Sequence, residues 1–379
     1  MPASLPSRHI TRLFLGASVP RARLQPILPF RRPYASRPEP IDPAYPVDAP
    51  PTPSSKGPLI TRPGAIVLGA FAAGIGLYTL QIVLAASQPL HNPAIAQLSA
   101  QKDVAAKYDE TADTFDAEVG LSEQLMGLNR LRKKLARECK GDVLEVSCGT
   151  GRNLGYFDIE GGNARVQSLS FLDLSPKMVE VCRKKWDVLY GAKGREGKLK
   201  KGLKVRFLTG SALGAIPLAP ARGDPEGIDM TEGEKKYDTI IQTMGICSTD
   251  RPGELVKNMA RHLDTTSTDS RIFLLEHGRS YMPWLNRILD NSAEKHAELH
   301  GCWFNREIGD IVQEAARASG LEIVRERRWH FGTTWIYELR PSQETVAKAI
   351  DAVKREGSAE TVVAPKGREE GWASRLGWK

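Results

Sequence analysis

The residues best suited to chemistry in this chain lie in one run, Val143-Leu144-Glu145-Val146-Ser147-Cys148-Gly149-Thr150-Gly151-Arg152-Asn153. An apolar strand carrying a single acid ends in a glycine-rich turn, followed by what reads as a helix beginning near Asn153. Gly149 and Gly151 remove the Cβ atoms that would hold a ligand away from the backbone, and they permit φ > 0 in a tight turn. A helix at Asn153 would aim its free N–H groups back at that turn. A dinucleotide fingerprint wants a third glycine at position 154, where Leu154 stands, which argues against a pyrophosphate. Glu145 points the same way, since a carboxylate beside the turn suits a ligand bearing positive charge.

A second unit of the same kind follows. The apolar run Gln167–Leu172 leads into Asp173-Leu174-Ser175-Pro176, where Ser175 reads as an N-cap and Pro176 as the first helical residue. An acid ending the second strand can accept both hydroxyls of a ribose. A nucleoside with positive charge and no phosphate describes S-adenosylmethionine, which carries an ammonium and a sulfonium. The competing reading is a doubly wound domain without nucleotide, whose acids are merely solvated. His277, at the end of the fifth apolar run, falls on the carboxyl edge of such a sheet and is the candidate general base, with a structural histidine as the alternative. His296 and His300 share a helix face near Cys302, but HAELH does not have the zinc-protease order, and no metal is expected. The five cysteines form no CxxC pair, and Cys148 and Cys247 read as buried packing rather than reactive thiols.

The elements that must position these groups alternate as strands and helices, which predicts a doubly wound α/β domain over residues 102–340. The expected strands are Asp142–Val146, Gln167–Leu172, Val205–Thr209, Tyr237–Gln242 and Arg271–Glu276, then an antiparallel hairpin of Leu321–Trp329 and Gly332–Leu339. Lys102–Glu118 reads as a polar helix with Tyr108, Ala112 and Phe115 on one face. Leu121–Cys139 reads as one amphipathic helix with Leu125, Leu128, Leu131 and Leu135 on its apolar side. Glu307–Ser319 carries core spacing and ends at Gly320. Arg183–Arg206, rich in lysine and arginine, reads as a helix end and a solvated loop, with RNA or acidic phospholipid binding as the sharper alternative. Pro217–Glu234 reads as a loop, and beyond Pro341 a short helix around Glu344–Lys354 precedes a polar tail over 341–379 with Trp372 and Trp378.

The N-terminal third is of another character. Its first acid is Glu39, preceded by seven arginines, the composition of an organelle transit peptide. Arg31-Arg32-Pro33-Tyr34-Ala35-Ser36 resembles a mitochondrial processing site, with the cut after Tyr34. Residues 35–63 read as a proline-rich linker. Gly64–Ala86 contains no charge and as a helix would extend about 35 Å, enough to cross a hydrocarbon core of roughly 30 Å. Lys56 and Arg62 precede the span, and no charge follows it until Lys102. Positive-inside bias therefore places the large domain in the intermembrane space rather than the matrix.

With these motifs in hand, the chain resembles the Rossmann-like S-adenosylmethionine-dependent methyltransferases, in particular their ubiquinone-biosynthesis and methyltransferase-like group. KYDETADTFD at Lys107–Asp116 is similar to the group's cofactor-covering helix, VLEVSCGTGRN to its first motif, LDLSPKMV to its second and YDTIIQTMGICS to its fourth. LLEHGRS, HGCWFNREI and HFGTTW resemble the methyltransferase-like branch, and with the presequence and span the whole is similar to fungal mitochondrial inner-membrane methyltransferases. The resemblance implies a seven-stranded, mostly parallel sheet with its last strand antiparallel. It also implies cofactor contacts from Glu145, Ser147, Gly149, Gly151, Asp173 and Leu174, with Ser211 and Ala212 near adenine and Thr243 and Met244 near the sulfonium. Ser211 stands where the group has an acid. No Asn-Pro-Pro-Tyr-type tetrapeptide follows the fourth strand, which argues against amino-methylating enzymes. The acceptor expected is a hydrophobic small molecule or lipid reached at the mitochondrial inner membrane. The alternatives are a non-catalytic assembly factor, with respiratory-chain biogenesis partners, or an rRNA methyltransferase.

Overall fold

Seven strands form one sheet in the computed structural model, which describes residues 62–191, 196–220 and 235–362. They are β1 (Gly141–Val146), β2 (Val166–Asp173), β3 (Lys204–Thr209), β4 (Thr239–Thr243), β5 (Arg271–His277), β6 (Leu321–Trp329) and β7 (Thr334–Pro341), in the order β3-β2-β1-β4-β5-β7-β6. The first five pair in parallel, while β7 runs antiparallel to β5 and to β6. The seven-stranded, mostly parallel sheet and its C-terminal hairpin are as expected. Strand order reverses between β1 and β4, and a sheet of this kind opens a crevice there, at the carboxyl ends of its strands.

Alternation of side chains explains why both faces are covered. Leu144 and Val146 of β1 join Ile240, Ile272 and Leu274 in the core beneath α6 (Pro252–His262) and α8 (Ile308–Ala318). Val143 points the other way, with Leu169, Phe171, Ile241 and Phe273, toward α4 (Leu128–Glu138) and α5 (Pro176–Tyr190). The remaining helices are α1 (Arg62–Ser87), α2 (Lys107–Thr111), α3 (Phe115–Leu125), α7 (Pro283–His300) and α9 (Gln343–Val362). Residues from Val67 onward form one compact unit, and the residues before it belong to a separate N-terminal one. Gly64–Ser87 is long and apolar enough to cross a membrane, with mean hydropathy 1.9 and none of its window buried. The transit peptide, the linker, Lys56, most of the Pro217–Glu234 loop, Trp372 and Trp378 lie outside the described residues.

Several local expectations differ from what is found. Residues 152–163 hold a single 3-10 turn, Leu154–Tyr156, in place of the helix expected at Asn153. Gly155, Gly161 and Gly162 disfavour a helix there, and Asn153 turns its amide inward rather than capping. The Lys102–Glu118 helix is broken into α2 and the first part of α3. The Leu121–Cys139 helix is broken at Gly127, which stands at φ 69 before α4. Leu128 and Leu135 are buried, but Leu125 is 79% exposed, so the apolar stripe drawn across both segments belongs to two helices pointing different ways. The Arg183–Arg206 run ends α5 and continues into a loop with Lys198 and Lys201 exposed, as expected, while some of its cations are engaged. Arg206 is buried on Ser170 and Tyr237, Arg183 lies over the Phe207 ring, and Lys185 pairs with Asp116.

Gly141 opens β1 at φ 70, and a Cβ there would collide with the Asp238 carboxylate, which accepts the Asp142 N–H at 2.8 Å. Gly141→Ala is expected to cost about 2 kcal/mol, lowering Tm by roughly 4–8 °C in a thermal melt of the full chain in detergent.

Candidate functional site

Both strands beside the reversal leave the sheet through residues forced into left-handed backbone. Ser147 follows β1 at φ 53, and Met244 follows β4 at φ 60; neither is glycine. Such positions are costly and persist only where the surroundings over-determine them, as at ligand sites. Gly245 lets the two exits touch, since a Cβ there would meet the Ser147 side chain at 2.6 Å. Gly149 stands at φ 53, and a Cβ on it would enter open space on the ligand side. Asp173 locks the first turn to the second. One of its carboxylate oxygens accepts the Gly149 N–H at 2.8 Å and the other the Ser175 N–H at 2.9 Å. Burial raises the Asp173 pKa against these hydrogen bonds.

The strand ends floor a cavity of about 520 Å³, lined by Ser147–Thr150, Leu172–Leu174, Gly210–Leu213, Thr243–Gly245 and His277. Helices α2 and α3 form its roof, supplying Tyr108, Phe115, Val119 and Ser122. Tyr108 and Phe115 meet edge to face at 5.8 Å. The roof is joined to the floor by Asp109, which accepts the Ser175 hydroxyl at 2.8 Å, and by the Val104 N–H, donated to the Ser248 carbonyl at 2.9 Å.

A network of charges missed in the sequence holds one wall. Arg132 donates to both Glu123 oxygens, at 3.1 and 2.8 Å, and to the Thr243 hydroxyl at 2.6 Å. Arg152 reaches the same Glu123 at 2.9 Å and Asp116 at 3.1 Å, and Asp116 also accepts the Thr150 hydroxyl at 2.7 Å. Burial raises the Glu123 pKa, but Arg132 and Arg152 outweigh it and leave the group below its ordinary value. A signal was present: Arg132 sits four residues after Leu128 and three before Leu135, a cation on the buried stripe of α4.

Of the residues singled out from sequence, Ser147, Gly149, Asp173, Leu174, Ser211, Ala212, Thr243, Met244 and His277 come together on this cavity. Glu145 and Gly151 stand behind its wall. Glu145 is 1% exposed, with one oxygen accepting the Asn153 amide at 2.8 Å and the other without a partner among the described residues. Burial lifts its pKa to about 8 despite Asn153 and Arg132. Gly151 serves packing, because a Cβ there would strike Leu154 and Cys182. The Ser211 hydroxyl accepts the Leu213 N–H at 3.2 Å. For His277, burial, with help from Arg132 and His330 and against Glu123, holds the pKa to about 4. His296, His300, Cys148, Cys247 and Cys302 also line the cavity.

A family profile described as "Methyltransferase domain" matches residues 122–326, more than half of the chain. The chain belongs to this family. Its S-adenosylmethionine-dependent members take their methyl group from that cofactor, and two features of this methyltransferase domain fit it: the unpartnered buried oxygen of Glu145 and the open face of Gly149. The domain is similar to the mitochondrial methyltransferase OMS1 of Saccharomyces cerevisiae, at 39% identity over 239 residues, 63% of this chain. The match covers 46% of that relative's length. It is also similar to magnesium protoporphyrin IX methyltransferase of Synechocystis PCC 6803 (15% identity, TM-score 0.36, 60% of this chain and 82% of that one). A putative methyltransferase of Haloferax volcanii, solved with its Trm112 activator, gives 12% identity and TM-score 0.42, over 63% and 98% of the two chains.

Removing Arg132 takes away one of the two guanidiniums that hold the buried Glu123 and leaves Arg152 as the other. Arg132→Met is expected to destabilise the domain by about 2 kcal/mol at neutral pH. The Glu123 pKa is depressed by folding, so its contribution is present above the ordinary carboxylate pKa near 4 and is lost as pH falls through the folded value. The gap between wild-type and variant melting temperatures should therefore narrow below pH 4 in scanning calorimetry.

Proposed function

We propose that this protein is a mitochondrial inner-membrane methyltransferase that carries a methyl group from S-adenosylmethionine to a hydrophobic acceptor. The observation that carries the reading is the cavity at the strand reversal, where Asp173, Gly149 and the left-handed exits of β1 and β4 converge under an apolar roof. Asp173 keeps acceptor lone pairs for a ribose. Glu145, behind the wall, keeps one oxygen to reach an ammonium through a water, and a positive charge arriving there favours its ionisation. Ser211 and Ala212 flank the adenine region, and Thr243 and Met244 the reacting end.

The bound cofactor supplies an electrophilic methyl carbon, and the protein's task is to align an acceptor with it. Arg132 and Asn153 hold the Thr243 hydroxyl, at 2.6 and 3.1 Å, and so fix the exit of β4. His277 lines the cavity and is the candidate to take a proton from an acceptor hydroxyl or thiol; burial holds its pKa to about 4, which leaves the ring unprotonated at physiological pH but a weak base. Val119, Met126, Leu128, Leu255 and Leu299 line the cavity with apolar surface suited to a quinone precursor or lipid. The mitochondrial relative, the arginine-rich N-terminus and the span Gly64–Ser87 support the location.

Calorimetry of the full chain in detergent with S-adenosylhomocysteine should give micromolar binding, about −8 kcal/mol, abolished by Asp173→Ala. A folded wild-type protein that binds nothing would turn the reading to a methyltransferase fold used as an assembly platform. For orientation, the charges before the span put the domain in the intermembrane space. Protease added to mitoplasts should then degrade residues 102–340, whereas a protected domain places them in the matrix.

A further inference from the structure

The chain leaving α1 is bonded along α7. Arg287 donates to the Ala86 carbonyl at 3.4 Å and Asn291 to that of Pro89 at 3.1 Å, while the Asn291 side chain accepts the His91 N–H at 3.0 Å. One turn further, Asn92 donates to Glu294 at 2.9 Å, and Ile95 buries against Ala293, Ala297 and Trp303. The connecting chain and α7 thus run side by side in the same direction, so the N-terminal end of α7 lies at the level where the apolar helix ends. Trp284 lies three residues, about 4.5 Å of helix, before Arg287 on α7.

That end of the domain carries a group of aromatic side chains that the fold leaves largely exposed. Trp284 is 44% exposed, Tyr281 60%, Trp329 50% and Phe331 63%. Tyr281 packs on Gly332, and the Phe331 carbonyl accepts the Ser280 hydroxyl, so the β6–β7 tip sits on the start of α7. Through His330, whose ring nitrogen lies 2.9 Å from the Met126 carbonyl, the tip also meets the end of α3. There Leu121 and Leu125, one turn apart on α3, are 68% and 79% exposed. His330 and Phe331 stand at φ 53 and 54 in the hairpin turn, with the His330 ring bonded to Thr334 and Met126 and the Phe331 ring left exposed.

Tyrosine and tryptophan at the level where a span ends are the pattern of a membrane–water interface, where their rings lie among the headgroups. We infer that Tyr281, Trp284, Trp329, Phe331 and the Leu121–Leu125 face of α3 form a lipid-docking surface that seats the catalytic domain on the bilayer. Ser122 and Met126 belong both to this end of α3 and to the cavity wall, so docking brings that wall to the acyl region. The inference rests on the reading of α1 as a membrane span, and the experiment separates the two.

Full-length protein is reconstituted into phosphatidylcholine vesicles, with and without lipid brominated near the headgroup end of the chains, and retention through alkaline carbonate is scored alongside tryptophan fluorescence. Bromolipid quenching is expected, with most of it lost in Trp284→Phe and Trp329→Phe and none lost in Trp186→Phe, whose ring packs against Phe171 and Tyr190. Leu125→Ser should weaken it without moving a tryptophan. Protein that resists carbonate extraction but shows the same quenching in all variants overturns the docking surface alone and leaves the patch to a protein partner. Protein released by carbonate overturns the span, and the inference with it.

Discussion

Asp173 accepts one backbone N–H on each carboxylate oxygen, and the architecture of the site depends on that arrangement. Gly149 belongs to the turn after β1 and Ser175 to the turn after β2, so one side chain fixes the spacing of two loops that no strand pairing reaches. The rest follows outward. Ser175, held from below, caps α5 through its hydroxyl at 3.1 Å and donates that same hydroxyl to Asp109 in the roof. Floor, helix and roof thus share a few atoms, which bound the cavity between them.

Electrostatics divides the cavity surroundings into two regimes. Burial raises the pKa of Glu123 and Asp116, but pairing with Arg132, Arg152 and Lys185 outweighs it and holds both below the ordinary carboxylate value, each carboxylate meeting at least two donors. Glu145 and His277 are instead kept neutral by burial, one carboxyl pushed up and one imidazole pushed down. Neutral but titratable groups beside a paired, fixed network are what a site needs to receive a cation at one end and a proton at the other without rebuilding its walls.

The middle of the sheet was legible because β1, β2, β4 and β5 are buried almost throughout and read as apolar runs, whereas β6, half-exposed and rich in arginine, was read from its spacing to β7. The seven strands sit within a few residues of their expected limits, and the hairpin turns through His330, Phe331 and Gly332 as its spacing implied. The elements at the crevice were harder. Asn153 looked like a helix start, yet its amide serves Glu145 on the preceding strand and Thr243 on a strand 90 residues away. Leu121 to Leu135 looked like one stripe, because helical periodicity continues through a glycine whose left-handed φ only the folded chain reveals. Glu123 and Arg132 were invisible as partners for a similar reason: nine residues apart, they meet only because α3 and α4 fold back on one another. Local pattern reports burial well and long-range polar pairing poorly.

The double hold on α3 has a kinetic side. Glu123 grips one guanidinium from α4 and another from the loop after β1, and Asp116 adds a third anchor through Arg152 and Thr150. Lifting that helix as a lid would have to part several charge-assisted hydrogen bonds together, so it moves as a latched door rather than a fraying flap. Where a spent ligand must leave beneath such a roof, parting the latch is a step on its way out. Loosening it would speed exit and, in the same act, admit water over the reacting atoms.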